Sequence, residues 1–205
     1  HKTFAIAGDG PDGRGALIND ALDGRGDLNP YGSQFRRIEL TDDATVGGTH
    51  RMEVRAHTAT AGTATPGIYG PGKRLTVKST NPYGFGVVSQ PVKVGAVTVA
   101  EGARLRPEAI AESQFDIPGG ITLDGGTMDL YSSTFSTNVP FYVTANGGNF
   151  IAGSGATTIK GDVNVASGTS LALTGDKNVT FNGAVNAVGA EITHSNSATT
   201  YFKGP

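Results

Sequence analysis

The chain contains no cysteine, no tryptophan and only two methionines among its 205 residues. The absence of cysteine excludes a disulfide scaffold and any thiolate-ligated metal, but it does not place the protein in the cytosol. An excess of one charge is also missing. Sixteen Lys and Arg residues face 18 Asp and Glu residues, for a net charge of −2. With no basic surplus to neutralise phosphates, nucleic acid is not an expected partner. No apolar run approaches the ~18 residues that mark a transmembrane helix, so no membrane span is expected. No signal peptide is evident and the chain opens on His1, so a mature product or an excised fragment is expected.

What the chain does contain points to strands. It has 24 Thr and 16 Val against 10 Leu, and β-branched side chains suit a pleated strand better than a helix. The 31 glycines are about twice the usual ~7% share, so turns must be frequent. Only ten prolines occur and there is no Gly-X-Y period, which excludes collagen. An apolar share of 37% before glycine is counted is enough for a core.

A phrase of alternating strand, glycine turn and second alternating strand recurs through the second half. It reads Ile121-Thr-Leu123-Asp-Gly-Gly-Thr-Met128-Asp-Leu130, then Phe141-Tyr-Val143-Thr-Ala-Asn-Gly-Gly-Asn-Phe150-Ile151. A third copy is Val163-Asn-Val165-Ala-Ser-Gly-Thr-Ser-Leu171-Ala-Leu173. Apolar residues alternate with Thr, Asn, Asp and Ser, as half-buried strands require. The strands recur at steps of ~20 residues, the signature of a stacked solenoid in which each coil buries its apolar edge against its neighbours. The expectation is a single right-handed parallel β-helix over residues 1–205. Residues 1–34 are expected as a cap or entry segment, and residues 57–86, rich in Gly, Pro and Thr, as protruding loops. Short helical turns are expected only near Gly15–Leu22 and Pro107–Glu112. A β-sandwich is the alternative, because short strands with frequent turns describe both folds.

The segment Phe35-Arg-Arg-Ile-Glu-Leu-Thr-Asp-Asp-Ala-Thr-Val-Gly-Gly-Thr-His-Arg-Met-Glu-Val54 resembles the repeat phrase of bacterial autotransporter-associated β-strand proteins. Thr158-Ile-Lys-Gly-Asp-Val163 and Val179-Thr-Phe-Asn-Gly-Ala-Val185 follow the same idiom. The resemblance implies an exported β-helical chain, extracellular or at the cell surface, belonging to a larger protein. It implies no set of active residues.

Candidate chemistry is sparse. Tyr31, Tyr69, Tyr83 and Phe85 lie in Gly/Pro-rich stretches, including two copies of Asn-Pro-Tyr-Gly at 29–32 and 81–84. Aromatic faces there suit stacking on a sugar ring, while anchoring each aromatic to its own loop is the plainer expectation. Asp9, Asp12, Asp20, Asp23, Asp27 and Asn29 offer oxygens of the kind calcium takes, without EF-hand spacing. They read equally as turn residues. Arg25-Gly-Asp27 spells an integrin-type tripeptide. Asp42-Asp43 is the only adjacent aspartate pair, and it reads as a turn. Arg104 and Arg106 share one strand face, as a lyase would want, but no acidic partner is visible in sequence. The four histidines, His1, His50, His57 and His194, show no metal or triad spacing. Asn164, Asn178, Asn182 and Asn186 read as turn formers or an amide ladder.

The expected function is therefore a non-catalytic module for adhesion, display or support, with no catalytic residue, metal or cofactor. A polysaccharide or surface glycan is the partner to expect. The alternatives are a carbohydrate-binding module of a polysaccharide-degrading protein and a β-helical lyase or glycoside hydrolase.

Overall fold

The computed structural model describes residues 3–20, 33–55, 66–108, 110, 112–131, 134–195 and 197–205. Strands β1 (Thr3–Gly8), β2 (Leu17–Ile18) and β3 (Ser33–Phe35) open the stack. Three pairs of longer strands follow: β4 (Arg37–Gly48) with β5 (Met52–Arg55), β6 (Ile68–Ser79) with β7 (Phe85–Val88), and β8 (Val92–Val99) with β9 (Arg104–Glu108). After the short β10 (Phe115–Asp116), each coil has three separate strands. These are β11 (Ile121–Leu123), β12 (Thr127–Asp129) and β13 (Thr134–Thr137), then β14 (Phe141–Val143), β15 (Gly148–Ala152) and β16 (Ala156–Ile159). The last two coils hold β17 (Val163–Val165), β18 (Ser170–Gly175) and β19 (Val179–Phe181), then β20 (Val185–Asn186), β21 (Glu191–His194) and β22 (Thr200–Phe202).

Among the described residues these strands form three sheets, and every pairing within them is parallel. The first sheet runs β1-β4-β6-β8-β11-β14-β17-β20, the second β3-β5-β7-β9-β12-β15-β18-β21, and the third β13-β16-β19-β22. The fold is a parallel β-helix. The sandwich alternative falls, since a sandwich of that kind is built from antiparallel ladders. Register partners Leu75, Val97, Ile121, Phe141, Val163 and Val185 step by 22, 24, 20, 22 and 22 residues. The ~20-residue period is therefore present in register, and early coils are longer: Ile38 pairs with Ile68 and Thr3 with Arg37.

The core consists of columns of inward side chains, one from each coil. Met52, Phe85, Leu105, Met128, Phe150 and Leu173 stand in line along the second sheet, all but fully buried. Phe150 meets Phe141 edge-on at 5.0 Å and Phe181 at 6.2 Å. The corner between the first and second sheets is a column of glycines at φ near +70° to +77°: Gly102, Gly125, Gly147, Gly168 and Gly189. Only a residue without Cβ takes this left-handed conformation at no steric cost, which is why each phrase carries its glycine there.

Within residues 1–34, β1, β2 and β3 pair with the first full coil, and residues 21–32 lie outside the described segments. One expectation about the first half is corrected. The span 57–86 is not simply loop insertion. Residues 56–65 lie outside the described segments, but Ile68–Ser79 is a twelve-residue strand inside the first sheet. Gly70-Pro71-Gly72 reads as a loop in sequence, whereas in the fold it is a bulge at which the register shifts. Gly70 is needed there, since a Cβ would stand 2.6 Å from Leu40 Cβ. The helical turns are corrected too. Leu17–Ile18 and Arg104–Glu108 are strands, and the helical content among the described residues is two single 3₁₀ turns, Pro11–Gly13 and Glu112–Gln114.

The Glu112 turn is tied across the coils. Its Oε2 accepts hydrogen bonds from Lys160 Nζ at 2.6 Å and Ser136 Oγ at 2.8 Å. The Lys160 ammonium, then the Ser136 hydroxyl, hold this carboxyl below the usual glutamate range. A depressed carboxylate stabilises the fold above its unfolded value, and that contribution is lost as the pH falls. Glu112→Gln is thus expected to melt below wild type above about pH 5, with the gap narrowing as the pH falls below the usual glutamate range. Thermal melts of both proteins from neutral to acid pH check this, and a gap that stays constant or widens as the pH falls would refute it.

Candidate functional site

Strand alternation puts Met52 and Val54 inside, and so sends Glu53 and Arg55 to the outer face of the second sheet. The same rule points Arg104, Arg106 and Glu108 outward from β9, around buried Leu105, and Asp129 outward from β12, beside buried Met128. Register then aligns Glu53 with Gly86 and Gly86 with Arg106. Residues from β5, β7, β9 and β12 converge on one patch.

The patch is densely paired and unusually buried. Glu53 has no solvent exposure; Arg51 ion-pairs with one carboxylate oxygen, and Arg55 Nε donates to the other at 2.8 Å. Gly86 gives the glutamate room, because a Cβ there would stand 3.0 Å from Glu53 Cγ. Asp129 is 1% exposed and accepts two hydrogen bonds from Arg104, at 3.1 Å from Nε and 2.7 Å from Nη2. The remaining arm of Arg104 donates to the Pro82 carbonyl. Arg106 Nε stands 3.7 Å from Asp129 and 3.9 Å from Glu108, buried and without a hydrogen bond. Two tyrosines flank the charges. The Arg106 guanidinium lies 3.4 Å from the Tyr131 ring centroid, and that of Arg51 lies 5.4 Å from Tyr83. Such contacts add cation–π attraction, worth more where water is excluded.

Burying these ions costs several kcal/mol each in desolvation, which pairing only offsets, so a hydrophobic patch would hold the coils as well. That makes this face the candidate functional site. Buried Glu53 and Asp129 hold the arginines in place, the partly exposed guanidinium groups present hydrogen-bond donors and Glu108 an acceptor, and the half-exposed rings of Tyr83 and Tyr131 supply flat apolar faces.

Of the residues expected as a glycan platform, Tyr83 lies at this site. Tyr69 lies on the first sheet, where the Arg37 guanidinium packs 5.0 Å from its ring. Tyr31 is outside the described residues. Phe85 is corrected: it is fully buried in the core column between Met52 and Leu105, because alternation about outward Gly86 turns it inward. The apparent lack of acidic partners for Arg104 and Arg106 is also corrected, since Asp129 and Glu108 stand beside them. Sequence reading missed Glu53, Asp129 and Tyr131. The signal was the recurring apolar-X-apolar triplet: Met52-Glu-Val54, Phe85-Gly-Val87, Leu105-Arg-Pro107 and Met128-Asp-Leu130 stack with their middle residues outward.

The other motifs tie turns, a strand bulge and a ladder. Asp9 accepts a hydrogen bond from Thr45, and Asp20 pairs with Arg14 and accepts from the Thr49 amide. Asp23, Asp27, Asn29 and the Arg25-Gly-Asp27 tripeptide lie outside the described residues, as do His1 and His57. Asp42 and Asp43 pin a bulge in β4, pairing with Lys73 Nζ at 3.0 Å and the Arg74 amide at 2.8 Å. Asn186 donates to Asn164 at 2.9 Å, an amide ladder on the outer face, while Asn178 accepts from the Thr199 amide at 3.0 Å. Among the described residues no three His, Asp or Glu side chains gather into a metal-binding group. No helix among them is long and apolar enough to cross a membrane.

No family model, no curated protein and no solved structure matches the chain.

Proposed function

We propose that this chain is a non-catalytic β-helical module that holds a polysaccharide or surface glycan against the outer face of its second sheet. One observation carries the reading: four arginines, three carboxylates and two half-exposed tyrosines meet there across adjacent coils. Sugar recognition uses this mixture, planar charged groups for hydroxyls and an aromatic face for the ring's C–H side. The parallel ladder beneath makes the platform rigid, so little ordering entropy opposes binding. The expected place of such a module is outside the cell or on its surface.

The same cluster favours a second reading, polysaccharide cleavage, because it sets arginines beside carboxylates. Affinity electrophoresis through gels of neutral and acidic polysaccharides, with reducing-end and unsaturated-product assays on the same samples, separates the two. Retention without products is expected. Tyr83→Ala and Tyr131→Ala should each weaken retention about tenfold, a loss of roughly 1.4 kcal/mol, with far-UV circular dichroism unchanged. Unaltered retention in both variants would remove the site, and product release would favour the enzyme.

A further inference from the structure

The four arginines of the second-sheet patch are not equally engaged. Arg104 commits all three of its side-chain nitrogens, two to Asp129 and one to the Pro82 carbonyl. Arg51 and Arg55 share Glu53 between them. Arg106 is the exception. It is 8% exposed, and its Nε is buried without a hydrogen-bond partner. Its carboxylate neighbours, Asp129 at 3.7 Å and Glu108 at 3.9 Å, stand beyond hydrogen-bond reach. Asp129 is also already held by Arg104. A buried N–H with no acceptor is costly, and an arriving acceptor removes that cost.

The charges of the patch set the sign of that acceptor. Glu53 and Asp129 are shielded from solvent, so what a ligand meets is guanidinium and, of the three carboxylates, only Glu108. Four arginines against three carboxylates leave the patch cationic on a chain whose net charge is −2. A guanidinium edge presents two parallel N–H groups, which a planar carboxylate matches oxygen for oxygen. Tyr131, half exposed, lies against the same guanidinium, its ring centroid 3.4 Å away. A carboxylate held by Arg106 therefore brings the sugar ring that carries it alongside Tyr131.

Resting on the reading of this face as a glycan platform, we infer that the glycan is acidic. Arg106 receives the carboxylate of a uronic acid unit, and that carboxylate takes the place of Glu108. Glu108 is the neighbour able to yield. Its side chain is 26% exposed, and Arg106 is the one cation within 4.0 Å of it among the described residues. Turning Glu108 out to solvent opens the Nε edge of Arg106 and leaves the Asp129–Arg104 pair intact. Arg106 then selects for the acid group, and Glu108 sets the threshold a ligand must exceed.

Affinity electrophoresis through two matched pairs of polymers tests this. One pair is alginate, built of uronates, and alginate with its carboxyls esterified; the other is dextran sulfate and dextran. Alginate should retain the wild type about tenfold more strongly than the ester does. Arg106→Gln should bring that ratio down to about one. Glu108→Gln removes the competing carboxylate and should raise the ratio about threefold, a gain that misfolding cannot imitate. No preference for alginate over its ester, with retention of both still weakened by Tyr83→Ala, overturns the acidic glycan and leaves the platform standing. Retention by no polysaccharide of any kind removes the platform itself. A preference that survives Arg106→Gln, or that falls in Glu108→Gln, overturns the assignment to this pair. A preference for dextran sulfate over dextran, with none for alginate, overturns the carboxylate in favour of a sulfate ester.

Discussion

Phe150→Ala is expected to cost about 4 kcal/mol of unfolding free energy, within the range for emptying a fully buried phenylalanine site. Phe150 has no solvent exposure and stands where two lines of packing cross. Along its own sheet it lies between Met128 and Leu173. Across the core it touches Phe141 and Phe181 at 5.0 and 6.2 Å. The surrounding ladders hold the three sheets apart, so the walls cannot collapse to fill the void. A solenoid's coils contact only their neighbours, so the loss should concentrate in the coils from β14 onward. Urea unfolding gives the total, and amide hydrogen exchange shows whether β14–β19 open before β4–β9. Tyr142→Ala, on the outer side of β14 and 41% exposed, is the control and should cost far less. A Phe150→Ala loss below about 1 kcal/mol would show that the core relaxes freely.

Glu53→Ala is the second large effect, an expected loss of about 3 kcal/mol. Here the cause is charge. Arg51 and Arg55, 12% and 26% exposed, would be left facing each other with their common counter-ion gone. Replacing the whole set should behave differently. Arg51→Met, Glu53→Leu and Arg55→Met together remove the desolvation cost as well as the pairing, and should return stability close to wild type. Urea midpoints of the single and triple variants check this, and equal stability in the two would refute the charge argument. Glycan retention adds an independent outcome. A triple variant that is stable but no longer retained would show that the ions serve recognition, while one that is stable and still retained would leave the tyrosines as the binding element.

Legibility differed between the halves for a physical reason. From Ile121 onward each coil has three short strands and a glycine at the same corner, so alternation and the step of about 20 residues are visible in the letters. In the first half, single strands turn two faces through bulges, and the glycines and proline of Gly70-Pro71-Gly72 mark a bend within β6. The site was half visible. Arg104 and Arg106 show their common face by spacing two, and Tyr83 stands out in its turn, but Phe85, two residues on, was misassigned. In a turn an aromatic has no fixed face; as the first residue of β7, Phe85 takes the inward phase of that strand.

By itself, then, the amino-acid sequence determined the element type, the period and the inward columns, because β-branched alternation and left-handed glycines are local constraints carried by each coil alone. The tertiary structure decided which coil sits on which and at what register. That register brings Asp129 to Arg104 and Glu53 over Gly86, pairs separated by 25 and 33 positions. No local rule states such distances. They depend on how long each intervening turn is, and only the stacking of completed coils turns those lengths into contact.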